Sequence, residues 1–249
     1  MTRPDSGSTH RGTLLILSTH IGNIDDMPSR SINALKEADL LVFEEDRPAR
    51  RALKAAKVHR EYLKFSEHVQ KETLDHLRKC LKKGGTVAYM SDQGCPVLAD
   101  PGFPVLSLAW ELGSLIKVIP GPSSLTAALS ACPFPVSDFY FAGFLPRTSG
   151  ARMGKIKELS LRKESVIVMD TPYRLGDLLQ ALSEGIGKNR KGFVALDISG
   201  PEEAWHSGTL PVLAQQFKGK NKKLNFVLVL EGLRSQSQSR KPLKQNKKV

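Results

Sequence analysis

Ser91-Asp92-Gln93-Gly94-Cys95-Pro96-Val97-Leu98-Ala99-Asp100-Pro101-Gly102 is a stretch whose residue types suit gripping a small ligand with main chain. Glycine lets backbone approach a bound molecule closely, and proline fixes the path of the loop. Pro120-Gly121-Pro122-Ser123-Ser124 repeats that character. A different chemistry sits at Arg47, Arg50 and Arg51, a basic patch whose planar guanidinium forks match phosphate oxygens. Cys95 has no histidine or asparagine beside it to make it a nucleophile, so it is read as part of the ligand loop. Asp92 is the type that fixes a loop by accepting from backbone amides. Phe139, Tyr140, Phe141 and Phe144 alternate as strand residues do and are assigned to the core rather than to base stacking.

Both loops follow strand-like segments. Thr86 to Met90 is nearly continuously apolar, as in a strand buried on both faces, and Val105, Leu106, Leu108, Ala109 and Leu112 recur beyond the loop at helical spacing. Ligands of open α/β sheets bind outside the carboxyl ends of strands, which is where a strand–loop–helix corner places its loop. Thr13 to Leu17 reads as a first strand. Pro28 suits the first turn of a helix carrying Ile32 and Leu35 inward. Leu40 to Phe43 is the next strand, ending at Glu44-Glu45-Asp46-Arg47. Ser66 is a candidate cap for a helix with Leu74, Leu77 and Leu81 on one face, stopped by Gly84-Gly85. Lys117 to Ile119 leads into the second loop. Strands alternating with helices imply a largely parallel sheet.

After Pro133-Phe134-Pro135 the alternation begins again, with strands expected at Phe139 to Phe144, Val166 to Met169, Phe193 to Ile198 and Phe226 to Leu230. Leu175, Leu178, Leu179 and Leu182 mark one helix face. Trp205-His206 falls in a loop or short strand with no legible role. This organisation gives an α/β domain over 12–135, a second over 136–232, and a basic tail over 233–249. The tail has no apolar periodicity and is expected to be disordered.

The chain has 249 residues, a formal net charge of +12 and a sequence pI near 9.7. That balance leans toward an anionic partner, with a solvated basic surface as the plain alternative. Arg234, Arg240, Lys241, Lys244, Lys247 and Lys248 carry six of the positive charges. Three widely spaced cysteines form no disulfide framework or zinc pattern, which points to a reducing cytoplasmic setting. No apolar run approaches the ~20 residues of a membrane span, and Met1 to Arg11 lacks the apolar segment of a signal peptide.

Four blocks together resemble the tetrapyrrole methylase superfamily, and within it the branch that methylates small-subunit ribosomal RNA. They are Ile21-Gly22-Asn23-Ile24-Asp25-Asp26, Ser91-Asp92-Gln93-Gly94-Cys95-Pro96 with Asp100-Pro101-Gly102, Ile119-Pro120-Gly121-Pro122-Ser123, and Gly143-Phe144-Leu145-Pro146-Arg147. They keep the family's order and spacing, and the similarity runs from about Gly12 to Gly232. The resemblance implies two α/β domains of the tetrapyrrole methylase type with a cofactor cleft between them. It also implies S-adenosylmethionine as cofactor, a ribose 2′-oxygen of small-subunit ribosomal RNA or a ribosomal particle as acceptor, and a homodimer. By family position the cofactor pocket uses Ile21, Cys95, Pro96, Leu98, Ser123 and Ser124, and is closed by Met169 and Leu196.

Departures from the branch pattern are local. Glu44-Glu45-Asp46-Arg47 stands for Glu-Asp-Thr-Arg, and Ser66-Glu67-His68-Val69 keeps only the middle pair of His-Glu-His-Asn. Leu196-Asp197-Ile198-Ser199-Gly200 lacks an arginine and a lysine of the usual Arg-Glu-Leu-Thr-Lys. Met169-Asp170-Thr171-Pro172-Tyr173-Arg174 replaces Tyr-Glu-Ser-Pro-His-Arg, and a chain that stops soon after Gly232 is expected to lack the longer C-terminal region of typical members.

A sulfonium methyl is already activated, so the protein must align an in-line attack and desolvate the acceptor, which asks for no metal ion. A ribose hydroxyl is a poor nucleophile, so a positioned base or a cation near the developing alkoxide helps. Glu44, Glu45 and Arg47 are the leading candidates for that role, with Asp46, Glu67 and His68 behind them. Two other readings stay open: a small-molecule methyltransferase, favoured by the lost cations near Leu196, and a non-catalytic RNA-binding relative, opposed by the intact cofactor loops.

Overall fold

The computed structural model describes residues 11–66, 70–98, 100–219 and 223–233. Glu67, His68 and the basic tail from Arg234 onward therefore lie outside the described residues. The backbone divides into two compact units, the first ending at Ser123 and the second beginning at Ser124.

The first unit is a five-stranded sheet of β1 (Thr13–Leu17), β2 (Leu40–Phe43), β3 (Leu63–Lys64), β4 (Thr86–Met90) and β5 (Leu115–Ile119). The order is β3-β2-β4-β1-β5 and every pairing is parallel, as strand–helix alternation predicts. The helices are α1 (Ser29–Glu37), α2 (Asp46–Ala56), α3 (Gln70–Lys82) and α4 (Phe103–Glu111). On one face Leu17, Leu41, Phe43, Ala88 and Met90 pack with Leu35 of α1 and Leu53 of α2. On the other, Leu14, Ile16, Val42, Val87 and Tyr89 pack with Leu77 and Leu81 of α3 and Leu108 of α4. Burial on both faces is why these strands read as apolar runs rather than alternations. One expectation shifts slightly. Pro28 is the N-cap residue before α1 rather than a member of its first turn. α3 is described from Gln70 onward, and the start expected after a Ser66 cap falls at 67–69, outside the described residues.

The second unit contains α5 (Ser124–Ser130), β6 (Phe139–Phe144), α6 (Ser149–Ser160), β7 (Ser165–Met169), α7 (Leu175–Ile186), β8 (Lys191–Leu196), β9 (Ala204–Thr209), α8 (Leu210–Phe217) and β10 (Phe226–Leu230). It starts earlier than the pattern restart after Pro135. Ala128 of α5 and Phe134 are buried with Ile167, Phe193, Ala195, Val227 and Val229, so this segment belongs to the second core. The opposite face holds Leu178, Leu179 and Leu182 of α7 with Val166, Val194 and Leu228.

This sheet is not a repeat of the first. Its order is β6-β7-β10-β8-β9, and only β6 and β7 are parallel. β9 returns on β8 after a short connection in which Asp197 and Ser199 hold φ of 45° and 63°. That connection has no room for a crossover helix, so the pair is antiparallel. Trp205 and His206 are therefore strand residues. Trp205 stacks on Phe193 at 5.9 Å, and His206 packs edge-on to Phe217.

Candidate active site

Three loops of the first unit meet at the carboxyl ends of neighbouring strands β4, β1 and β5. Past β1, the Ser18 N–H donates to the Ile119 carbonyl at 3.1 Å, and the Thr19 N–H to Gly94 at 2.9 Å. The Gly94 N–H returns a bond to the His20 carbonyl at 3.1 Å. The Ser31 hydroxyl donates to the Ser18 carbonyl at 2.7 Å, tying α1 to the same point. The glycines are needed here. Gly94 has φ +67°, and a Cβ on Gly121 would lie 2.7 Å from both Ser18 Cβ and Pro28 Cγ.

Cys95 sits in this knot. Ser18 Oγ donates to its Sγ at 3.1 Å, and the thiol points to the Gly121 and Pro122 carbonyls at 3.8 and 3.7 Å. Its hydrogen-bonding capacity is thus spent on holding loops together. The structure brings Ile21 and Cys95 into this group, with Pro96 and the 56% exposed Leu98 following Cys95 on its loop and Ser123 following Pro122. Ser124 opens α5 of the second unit, where Met169 and Leu196 end β7 and β8. Both strands pair antiparallel with β10, so those two ends lie on the same side of their sheet.

The acidic run after β2 falls beside the loop after β4, because β2 and β4 are neighbours. The Glu45 N–H donates to Asp92 Oδ1 at 3.1 Å, and the Asp92 N–H donates to Glu44 Oε2 at 3.4 Å. Asp92 therefore fixes loop backbone as its residue type suggests, and it also anchors the start of α2. Burial, followed by the charges of Asp92 and Asp100, pushes the Glu44 carboxyl up to about 7. Burial pushes Asp100 up to about 6, opposed by a hydrogen bond with Ser91 and assisted by Asp92. Asp92 is raised by burial too.

The other acids of the run have different work. Asp46 accepts from Lys64 Nζ at 3.0 Å and Tyr62 Oη at 3.1 Å, and the Lys64 bond leads the effects holding its carboxyl below the usual range. Glu45 is the exposed N-cap of α2, and Arg47 lies exposed in that helix's first turn.

Sequence reasoning passed over three residues here. The residue pattern marks Asp100 only as part of a loop motif. Tyr89 is fully buried, its hydroxyl lacks a partner among the described residues, and burial followed by the charges of Glu44, Asp100 and Asp92 raises its pKa. His20 is also buried, with Nδ1 unpartnered among the described residues; burial and then Arg51 lower its pKa, against Asp26. Their placement depends on strand neighbours distant in sequence, which no local pattern reveals.

Comparison with known proteins identifies the arrangement. Tetrapyrrole (Corrin/Porphyrin) Methylases match residues 13–214. The chain belongs to this family. Ribosomal RNA small subunit methyltransferase I of Thermotoga maritima is 32% identical over 221 residues, covering 89% of this chain and 99% of that one. Among solved structures, diphthine synthase aligns with a TM-score of 0.68 at 15% identity, covering 88% of this chain and 90% of that one. Uroporphyrin-III C-methyltransferase of Thermus thermophilus, complexed with S-adenyl homocysteine, aligns with a TM-score of 0.60 at 17% identity, covering 87% and 91%. At such identities the structural likeness carries the fold alone.

This tetrapyrrole methylase is an S-adenosylmethionine-dependent methyltransferase. The loops offer that cofactor a surface built of main chain and apolar side chain. Gly94 and Gly121 let the loops pack on one another, where Cβ atoms would meet Ile21, Ser18 and Pro28, while Cys95 and Leu98 stay exposed for apolar contact. The acids following β2 and β4 suit a cationic sulfonium. Among the described residues, no helix is long and apolar enough to cross a membrane.

Proposed function

We propose that this methyltransferase modifies a ribose 2′-hydroxyl of small-subunit ribosomal RNA, with Glu44 as the base. The observation that carries this reading is the Glu44 carboxyl, raised to about 7 and joined through Asp92 to a cofactor loop. A general base works best with a pKa near the working pH, and Glu44 is the member of the acidic run so placed. The Thermotoga relative, named for small-subunit ribosomal RNA, supports the choice of acceptor.

S-adenosylmethionine held by the cofactor loops would supply an activated methyl group, with its thioether sulfur as the leaving group. Glu44 takes the proton of the 2′-hydroxyl that accepts that methyl. Asp92 holds Glu44 by its N–H, and Glu45 orients the ribose from the start of α2. Arg47 holds the adjacent phosphate. Ile21, Cys95, Pro96, Leu98 and Ser123 of the first unit bind the cofactor, and Ser124, Met169 and Leu196 are the second unit's candidates for contact with it. The protein acts as a homodimer in the cytoplasm, on the RNA or on a ribosomal particle.

The test is to delete the gene, map ribose methylation on small-subunit RNA, and restore the missing mark with purified protein and S-adenosylmethionine. A lost and restored 2′-O-methyl group is the expected result. An unchanged methylation map would send the search to small-molecule acceptors.

A further inference from the structure

The second unit carries a cationic and aromatic cluster of its own at the carboxyl ends of β6 and β7. Gly143, at φ +62°, marks a register shift in the β6–β7 pairing, after which Phe144 lies opposite Met169. Phe144 is 53% exposed, a departure from the core role its strand pattern suggests. Tyr173, in the 3-10 turn Pro172–Arg174 that follows β7, is 60% exposed. A free aromatic face at the end of each of two adjacent strands is costly to leave in water and suits stacking on flat rings.

Arginines surround the same strand ends. The Arg152 guanidinium donates to the Pro146 carbonyl at 3.0 Å and the Arg147 carbonyl at 2.9 Å. This pins the turn that presents the exposed Arg147 side chain. Arg174 Nη1 pairs with the buried Asp170 at 3.0 Å, and its Nη2 is buried without an acceptor among the described residues. Arg152 and Arg147 also act electrostatically on Asp170. Three guanidinium groups thus gather around a single carboxylate, leaving excess positive charge beside two aromatic rings.

We infer that Phe144, Tyr173 and Arg147 form a docking ledge for single-stranded RNA, with bases stacked on the two rings and a backbone phosphate held by Arg147, while the Arg174–Asp170 pair braces the turn that carries Tyr173. This rests on the RNA reading above and extends it to the second unit. Aromatic rings interleaved with cations are the recurrent means of holding unpaired strands, because every base has a π face and every linkage a phosphate. The ledge also offers a cation within the unit that lacks the arginine and lysine usual near Leu196.

The test measures binding of the full chain to a fluorescein-labelled single-stranded RNA of small-subunit sequence across a salt series, with S-adenosylhomocysteine binding followed by calorimetry. Phe144→Ala and Tyr173→Ala should each weaken RNA binding by about tenfold with the salt slope unchanged. Arg147→Gln should weaken it and lower the slope by about 0.7, one phosphate contact on a single strand. All three positions are exposed, so the fold should survive each change, and S-adenosylhomocysteine affinity should stay the same. Lys188→Gln, an exposed charge at the other end of the sheet, should change nothing. Wild-type binding matched by all three variants would overturn the ledge and leave the RNA reading standing. No binding by the wild type would overturn both, and loss of S-adenosylhomocysteine affinity would reassign the cluster to the cofactor.

Discussion

Glu44 is the residue on which the chemistry turns, and its raised carboxyl makes two effects separable. As a base it must be ionised, so the turnover of the wild type should rise with pH through about 7. Glu44→Gln removes the base and should lower turnover by about tenfold or more with S-adenosylhomocysteine affinity unchanged; Arg47→Ala should do likewise through acceptor geometry. Stability moves the other way. The folded protein keeps the Glu44 proton up to about 7, whereas the unfolded chain releases it near 4.5, so the folded state binds more protons between those values. Stability from this group is therefore full below 4.5 and lost as pH rises through 7. Glu44→Gln should melt above the wild type at pH 8 and level with it at pH 4; calorimetric melts of both proteins decide this. The acidic run was legible in the sequence, but its division of labour was not. Asp46 is committed to Lys64 and Tyr62, and Glu44 to Asp92, only because β2 lies between β3 and β4.

At the scale of elements, the loops matter because they hold one another. Gly121 approaches Ser18 and Pro28 so closely that a methyl group there must displace one of them. Gly121→Ala should cost about 1–3 kcal/mol of stability through overpacking and should also weaken S-adenosylhomocysteine binding, since the loops after β1 and β5 would part. A melt unchanged from wild type would show that the contact gives way without cost. Strands of the first sheet were readable because two-sided burial writes itself as an apolar run, and Thr13–Leu17, Leu40–Phe43 and Thr86–Met90 appear where that pattern puts them. β9 stayed undecided between loop and short strand because Ala204–Thr209 has little apolar content and, among the described residues, pairs with β8 alone at the sheet edge. The antiparallel placement of β10 between β7 and β8 leaves no mark on its own residues, since Phe226–Leu230 is apolar throughout and buried on both faces. Phe144 escaped for a related reason: an alternating pattern cannot foresee the shift near Gly143 that governs where its ring lies.

For the whole molecule, the decisive quantity is a net charge of +12 spread over separate places on one chain. The Arg47, Arg50 and Arg51 patch lies on α2, the Arg147 group in the second unit, and six more cations follow Leu233. If each set replaces counterions on phosphates, affinity for ribosomal RNA must fall steeply with salt, and the slope counts the contacts made. Removing residues 234–249 separates the sets and keeps every described strand. Full engagement of those six cations with single-stranded RNA would lower the slope by up to about 4, at about 0.7 per contact. The truncated chain should therefore bind RNA more weakly and with a shallower salt dependence, while its S-adenosylhomocysteine affinity stays that of the full chain. An unchanged slope would make those cations a solubilising extension and assign recognition to the folded units, where Arg47→Ala and Arg147→Gln would then each have to account for a share of it.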